Sequence, residues 1–292
     1  VSATTLERPD IATFDALHAR IVAALEAVDG GAFTRDAWTR ETGHGVSAVL
    51  EGDAVIERGA VLVSHLRGTN LPATASARRP HLAGSAYTVS GVSVVVHPRN
   101  PHAPTAHMNV RRFTTATTDG WVGGGMDLTP YLLYPEDATL FHRAAFEAQP
   151  SGYATWKREC DAYFHLPHRG EARGVGGIFF DDLSPERPLE LLEQVVNAFV
   201  GAYTAILERR KDTPFTDDDR AWQLERRGRY AEFNLVWDRG TAFGLKGGGR
   251  TQSILASLPP LATWAYQDRQ PSNDRQRALL EVVRAPRDWL ED

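Results

Sequence analysis

Between Gly91 and Arg111 the chain reads GVSVVVHPRNPHAPTAHMNVR, a stretch in which hydroxyl, imidazole, carboxamide and guanidinium groups recur at every second residue. Side chains alternate across a strand, so Ser93, Val95 and His97 share one face while Val94 and Val96 share the other. After the proline-rich bend PRNPHAP the alternation resumes, with His107, Asn109 and Arg111 on one side and Met108 and Val110 opposite. If the two strands pair with these faces together, five polar groups converge in an inventory suited to proton transfer and carboxylate binding. A slip of one residue in register would send every one of them to the other side. A solvated sheet face is the alternative reading.

Further along, WVGGGMDLTPYLL places Asp127 just behind three glycines, where backbone can approach a ligand closely. The run lacks the Lys-Ser/Thr ending of a phosphate loop, and a plain turn before a strand is the alternative. A second glycine run, FGLKGGGRTQSILASLPP, carries Gly248, Gly249 and Arg250. Backbone N–H groups and a guanidinium there suit a carboxylate; a hairpin turn followed by a short helix competes with that reading. His97, His107, His142 and His168 are enough for a metal site, but no H-x-x-x-H or H-x-E pair supports one locally. His142, on a helix, reads as a capped, hydrogen-bonded surface residue before it reads as a ligand. Asp181 and Asp182 either bind a cation or cap the helix that follows.

The elements that must position these groups are legible in part. Ile11, Phe14, Leu17, Ile21, Leu25 and Val28 recur at three and four, the stripe of an amphipathic helix that Gly30-Gly31 ends. From about Gly45 to Val96, short β-branched runs separated by glycine and proline predict several strands. Helices are predicted over 136–148 and 153–163, and a strand at GIFFDDL. A long helix opening at Ser184-Pro185-Glu186 follows, with Leu192, Val195, Val196, Phe199, Tyr203, Ile206 and Leu207 on one face. Thr216 and three aspartates open another helix, which leads into YAEFNLVWDRG, read as a strand closed by a glycine turn. Helix first and sheet next argue for α+β rather than repeated βαβ units.

The 292 residues show no internal repeat, low-complexity tract or linker, so one domain spanning 1–292 is expected. A net charge of −5 with scattered basic residues does not suggest a nucleic-acid surface. The lone Cys160 cannot form an intrachain disulfide, there is no secretory leader pattern, and no apolar run is long enough to span a membrane. A soluble cytoplasmic protein is expected.

Taken together, GVSVVVHPRNPHAPTAHMNVR, WVGGGMDLTPYL, HRGEARGVGGIFFDDL and RRGRYAEFNLVWDRGTAFGLKGGGRTQSILASLPP resemble the aerobic coproporphyrinogen III oxidases, in the family's order and from roughly Ala27 to Trp289. The resemblance implies a homodimer with contacts within 230–265, and a large, mainly antiparallel sheet sandwiched between two layers of helices. The substrate would lie in a deep cleft on that sheet. It implies that two propionates of coproporphyrinogen III become vinyl groups, giving protoporphyrinogen IX, with molecular oxygen as co-substrate and neither flavin nor haem. His107 then resembles the proton donor, joined by Arg111 and by Asp127 facing the pyrrole nitrogens as catalytic residues. Ser93, Asn109, Val110, Arg111, Gly248, Gly249 and Arg250 resemble the substrate contacts. His97, His107, His142 and His168 match the histidines assigned to a divalent cation, manganese or another. The glycine-rich LKGGGR departs from many relatives, although Arg250 stays aligned. Two other readings of the same residues are a histidine-held iron or copper oxygenase and a noncatalytic tetrapyrrole carrier.

Overall fold

The computed structural model describes residues 10–52, 54–71, 79–115, 118–246 and 249–291. The chain opens with helix α1 (Ile11–Asp29), whose buried stripe is Phe14, Leu17, Ile21, Leu25 and Val28, joined by His18 and Val22. Each such apolar side chain contributes roughly 1.5–3 kcal/mol on burial. Gly30, at φ 81°, adopts the left-handed conformation that lets its N–H cap the Glu26 carbonyl.

A seven-stranded meander follows: β1 (Thr34–Arg40), β2 (Gly43–Glu51), β3 (Ile56–Gly68), β4 (Tyr87–Pro98), β5 (Thr105–Thr115) and β6 (Thr118–Thr129), closed at the far edge by β9 (Gly176–Leu183). All six pairings are antiparallel. Between β6 and β9 lie helices α2 (Pro135–Ala148) and α3 (Pro150–Tyr163), then the two-residue strands β7 (His165–Leu166) and β8 (Glu171–Ala172), which pair as a small hairpin. The long helix α4 (Pro188–Arg210) packs beside α1 on one face of the sheet, burying all seven residues of its predicted stripe.

Helix α5 (Asp217–Glu232) starts at a capping box in which Thr216 and Asp219 satisfy each other's backbone N–H groups. With the short helices α6 (Arg239–Lys246) and α7 (Thr251–Leu255), it forms the layer on the opposite face. Ser253 meets Ser47 of β2 at 2.7 Å, and the Ser257 carbonyl accepts from His97 Nε2 at 2.9 Å. Helix α8 (Asp274–Arg284) adds Leu279 and Val283 to the core on the α1 side. The expected α+β architecture, a sheet between two helical layers, is therefore present. Among the described residues no helix is long and apolar enough to cross a membrane.

Two predicted elements differ. The helix after GIFFDDL starts at Pro188, so Pro188 rather than Pro185 occupies the first turn. The segment read as a strand, YAEFNLVWDRG, is instead the end of α5 running into a π-helical turn, Phe233–Trp237. Tyr230, Phe233 and Asn234 recur at three and four and are buried together, which is helical spacing, while Leu235, Val236 and Trp237 stay exposed.

Candidate active site

The register decides which side chains meet. Ser93 pairs with Asn109, Val95 with His107 and Gly91 with Arg111, so the polar faces of β4 and β5 do coincide. Across β6, His107 pairs with Asp127, Asn109 with Gly125 and Arg111 with Gly123. Following one row across the sheet gives Asp36, Ser47, Leu62, Ser93, Asn109 and Gly125. The next row gives Trp38, Gly45, Ser64, Gly91, Arg111 and Gly123. The middle of this face is thus a floor of glycine and serine. Met108, Val110, Val94 and Val96 point the other way into the apolar core.

At the floor's β6 edge, His107 Nδ1 donates to Asp127 Oδ1 at 2.8 Å, and Arg173 donates to Asp127 Oδ2 at 2.7 Å. Asp127 is 2 % exposed. Burial alone would raise its pKa, but the Arg173 charge and the hydrogen bonds from His107 and Arg173 offset that and hold the carboxyl below its ordinary value. An ionised carboxylate only accepts, so the proton on the His107 ring sits at Nδ1. In that tautomer Nε2 carries the lone pair, on a side chain 19 % exposed. Phe164 meets the ring edge-on with centroids 6.0 Å apart.

Two rows away, Arg111 hydrogen-bonds Asn109 at 2.8 Å and pairs with Asp181 of β9 at 2.9 Å. Gly123 makes room for this: a Cβ there would lie 2.8 Å from the Arg111 guanidinium and 2.5 Å from the Asp181 carboxylate. Near the opposite edge, Arg250 pairs with Asp36 on β1. Four strand spacings separate β1 from β5, roughly 19 Å, so two arginines flank the floor at a distance suited to a wide ligand with carboxylates at its rim. Gly249 lies beside Arg250 with its N–H donated to the Gly244 carbonyl at 2.8 Å, and Gly248 falls outside the described residues.

A family profile for coproporphyrinogen III oxidase matches residues 11–289. The chain belongs to that family. Coproporphyrinogen III oxidases catalyse an oxidative decarboxylation in porphyrin and haem biosynthesis.

For a coproporphyrinogen III oxidase, several expectations about individual residues need correction. Val110 is 1 % exposed in the helix-packed core, so its side chain cannot touch a ligand on the other face. Asp127 is buried, with one oxygen accepting from His107 and the other from Arg173. The four histidines do not form one donor set. His97, fully buried, takes a hydrogen bond from Thr105 on Nδ1 at 2.9 Å and donates from Nε2 to the Ser257 carbonyl. His142, also fully buried and not on the surface, accepts from the Tyr153 hydroxyl on Nδ1 at 2.8 Å and donates from Nε2 to the Val175 carbonyl at 3.0 Å. His168 donates to Glu232 at 2.7 Å and accepts from Trp237 at 3.0 Å. A ring nitrogen so engaged has no lone pair left for a cation. Among the described residues no group of three or more His, Cys, Asp or Glu could hold a metal ion. The residues therefore do not fit the implied cation.

Other groups at the site were inside quoted motifs but not singled out by sequence. Arg173 comes from the loop between β8 and β9. Asp238, at the end of the π-helical turn, accepts from the Tyr163 hydroxyl at 2.8 Å. Burial would raise Asp238, but hydrogen bonds from Thr241 and Tyr163, with the nearby His107, hold it below its ordinary value. Burial and the Asp238 charge push the Tyr163 phenol up to about 12. Tyr163 stacks on Phe179 with centroids 4.5 Å apart, and Arg239 lies 4.9 Å over its ring. The only signal available was the motif neighbourhood, since a loop residue has no periodicity to betray its direction.

Proposed function

We propose that this chain converts coproporphyrinogen III to protoporphyrinogen IX by removing two propionate carboxyls in turn, with molecular oxygen as oxidant. In each round the terminal carbon leaves as carbon dioxide and the methylene next to the ring loses a hydrogen with its electron pair, leaving a vinyl group. Oxygen takes up that pair and, with one further proton, departs as hydrogen peroxide, so atoms and electrons balance. No flavin or haem is required to carry the electrons, and no step passes through a metal.

The supporting observation is the pairing of His107 with a buried Asp127 at the edge of a small-residue floor flanked by arginines. His107 Nε2 accepts a pyrrole N–H proton, which raises electron density in the ring that oxygen attacks. The imidazolium so formed is stabilised by Asp127, which positions the ring rather than acting as the base. Arg111, and Arg250 from the other side, take carboxylates at the rim of the tetrapyrrole by charge-assisted hydrogen bonds. Ser93 and Asn109 lie between them on the floor.

The same reading makes the chain a homodimer. Leu235, Val236, Trp237, Leu261, Trp264 and Tyr266 are exposed within one stretch of sequence, an apolar surface of the kind that partners cover. A second copy of the chain is the occupant, and light scattering on the purified protein measures it: the dimer mass is expected. A cytoplasmic setting accords with a single, buried and unpaired cysteine.

The functional test is an assay of purified protein with coproporphyrinogen III under air and under argon, following the vinyl product and the oxygen consumed. Product only under air, with one oxygen per carboxyl lost, is the expected result. Product under argon removes oxygen from the scheme, and binding without consumption identifies a carrier.

A further inference from the structure

We propose that Arg173 is a positioning residue for the oxidative decarboxylation, fixing Asp127 so that its other oxygen orients the His107 ring. This rests on the functional reading above but concerns a residue outside the set that contacts the substrate.

Arg173 is 3 % exposed, and its two terminal nitrogens reach in different directions. One donates to Asp127 Oδ2 at 2.7 Å and the other to Asn234 Oδ1 at 2.8 Å. Its guanidinium lies 4.1 Å over the Phe164 ring, 4.4 Å over Tyr230 and 4.8 Å over Phe233. A planar cation wedged among three rings, with hydrogen bonds fixing it at both ends, has little freedom to rotate. The carboxylate it holds is fixed in turn. Phe164 closes the loop, because it also packs edge-on against His107.

The alternative is that Arg173 merely neutralises a buried charge. Three features argue for more than neutralisation. A lysine would supply the charge but could not span Asp127 and Asn234 with fixed geometry. The two contacts divide the Asp127 carboxylate between them, His107 on Oδ1 and Arg173 on Oδ2, so Oδ2 is held from the Arg173 side. Finally, Asn234 belongs to the π-helical turn that also delivers Asp238, so one anchor ties two sides of the site together. Without the clamp, the Asp127 carboxylate is free to turn, and the Nδ1–H tautomer of His107 loses its fixed acceptor.

The test combines kinetics with a readout that bulk stability does not move. In R173Q, kcat should fall by about 100-fold, with KM for coproporphyrinogen III within about threefold of wild type, because the lost interaction serves the reacting geometry and not ground-state binding. R173K should recover about tenfold of that loss, and N234A, which leaves the Asp127 contact intact, should cost less than R173Q. Nitrogen-15 spectra of histidine-labelled wild-type protein at pH 8, without substrate, should show His107 with its proton on Nδ1 and the lone pair on Nε2. R173Q should show the two tautomers mixed. An R173Q kcat within twofold of wild type, or wild-type His107 protonated on Nε2, overturns the proposal. Should R173Q not fold, R173K decides it: a kcat about tenfold below wild type with KM within about threefold is expected, and a kcat within twofold of wild type overturns the proposal. Should wild type consume no oxygen with coproporphyrinogen, the functional reading fails, and the resting spectrum still tests the clamp.

Discussion

The two faces of the seven-stranded sheet are made from the same strands, residue by alternate residue, yet they differ in nearly every physical respect. On the α1–α4 side, Val94, Val96, Met108, Val110, Val122 and Met126 form a continuous ladder sealed by helices. On the other, the corresponding positions are Ser93, His97, His107, Asn109, Gly123 and Asp127. The first face contributes folding free energy by removing apolar area from water. The second gives up much of that stabilisation by placing small and polar groups where a ligand must lie. Ion pairs such as Arg173–Asp127 then hold in place what packing does not.

Substitutions at neighbouring positions should separate these roles. The largest effect is expected for Met108→Asp, which buries an unpaired carboxylate in the sealed core at a cost upwards of about 4 kcal/mol; soluble folded protein should be lost, as judged by circular dichroism. One residue earlier in the strand, His107→Ala should fold with a melting temperature near wild type. Its kcat should fall by roughly 10²–10⁴-fold, the usual worth of a positioned acid–base group. If His107→Ala unfolds the chain or leaves turnover intact, the division between faces is wrong. Arg111→Ala should act mainly through KM, raising it about 10-fold or more for loss of a charge-assisted contact, with kcat little changed in steady-state assays.

His142 sharpens the comparison from the packed side. Burial holds its pKa down at about 3, against 6.5 for the free group. The unfolded chain therefore binds a proton that the folded chain refuses, and stability falls as pH drops from about 6.5 towards about 3. His142→Phe should cost roughly 1–3 kcal/mol near neutrality, because the Tyr153 hydroxyl and Val175 carbonyl lose their partner. It should also flatten this acid dependence in denaturant titrations run at several pH values. The smallest expected effect is that of chelation. Since His97, His142 and His168 have both ring nitrogens engaged within the chain, activity after dialysis against a chelator should match the untreated enzyme, and a loss restored by a divalent cation would show that other ligands hold a metal.

Much of this site is legible in the sequence, and the reason is the period of the strand. Alternation in VSVVVHP and AHMNVR assigned Ser93, His107, Asn109 and Arg111 to one face, and the register then joined Ser93 to Asn109 across the strands. The stripe of α1 and the Thr216 cap were equally readable, because both are local. What escaped was what depends on distant chain. Asp127 was found but not its burial, which follows from Arg173, 46 residues further on. The strand reading of YAEFNLVWDRG failed because Leu235, Val236 and Trp237 are apolar yet exposed, masking the helical spacing of Tyr230, Phe233 and Asn234. Four histidines read as a ligand set from their matching positions alone, whereas hydrogen bonds to Thr105, Tyr153 and Trp237 give three of them separate occupations.

A cavity of about 200 Å³ lined by Asp10, His44, His65, Arg67 and Ser90 lies on the α1 side of the same sheet, away from His107, and offers a ligand a competing place. The most direct measurement is therefore a crystal structure with coproporphyrin III, the oxidised form of the substrate. The macrocycle is expected over the floor at Ser64, Gly91 and Ser93, within hydrogen-bond reach of His107 Nε2 and with carboxylates on Arg111 and Arg250. A macrocycle seated in the α1-side cavity, or one out of contact with His107, would contradict this expectation.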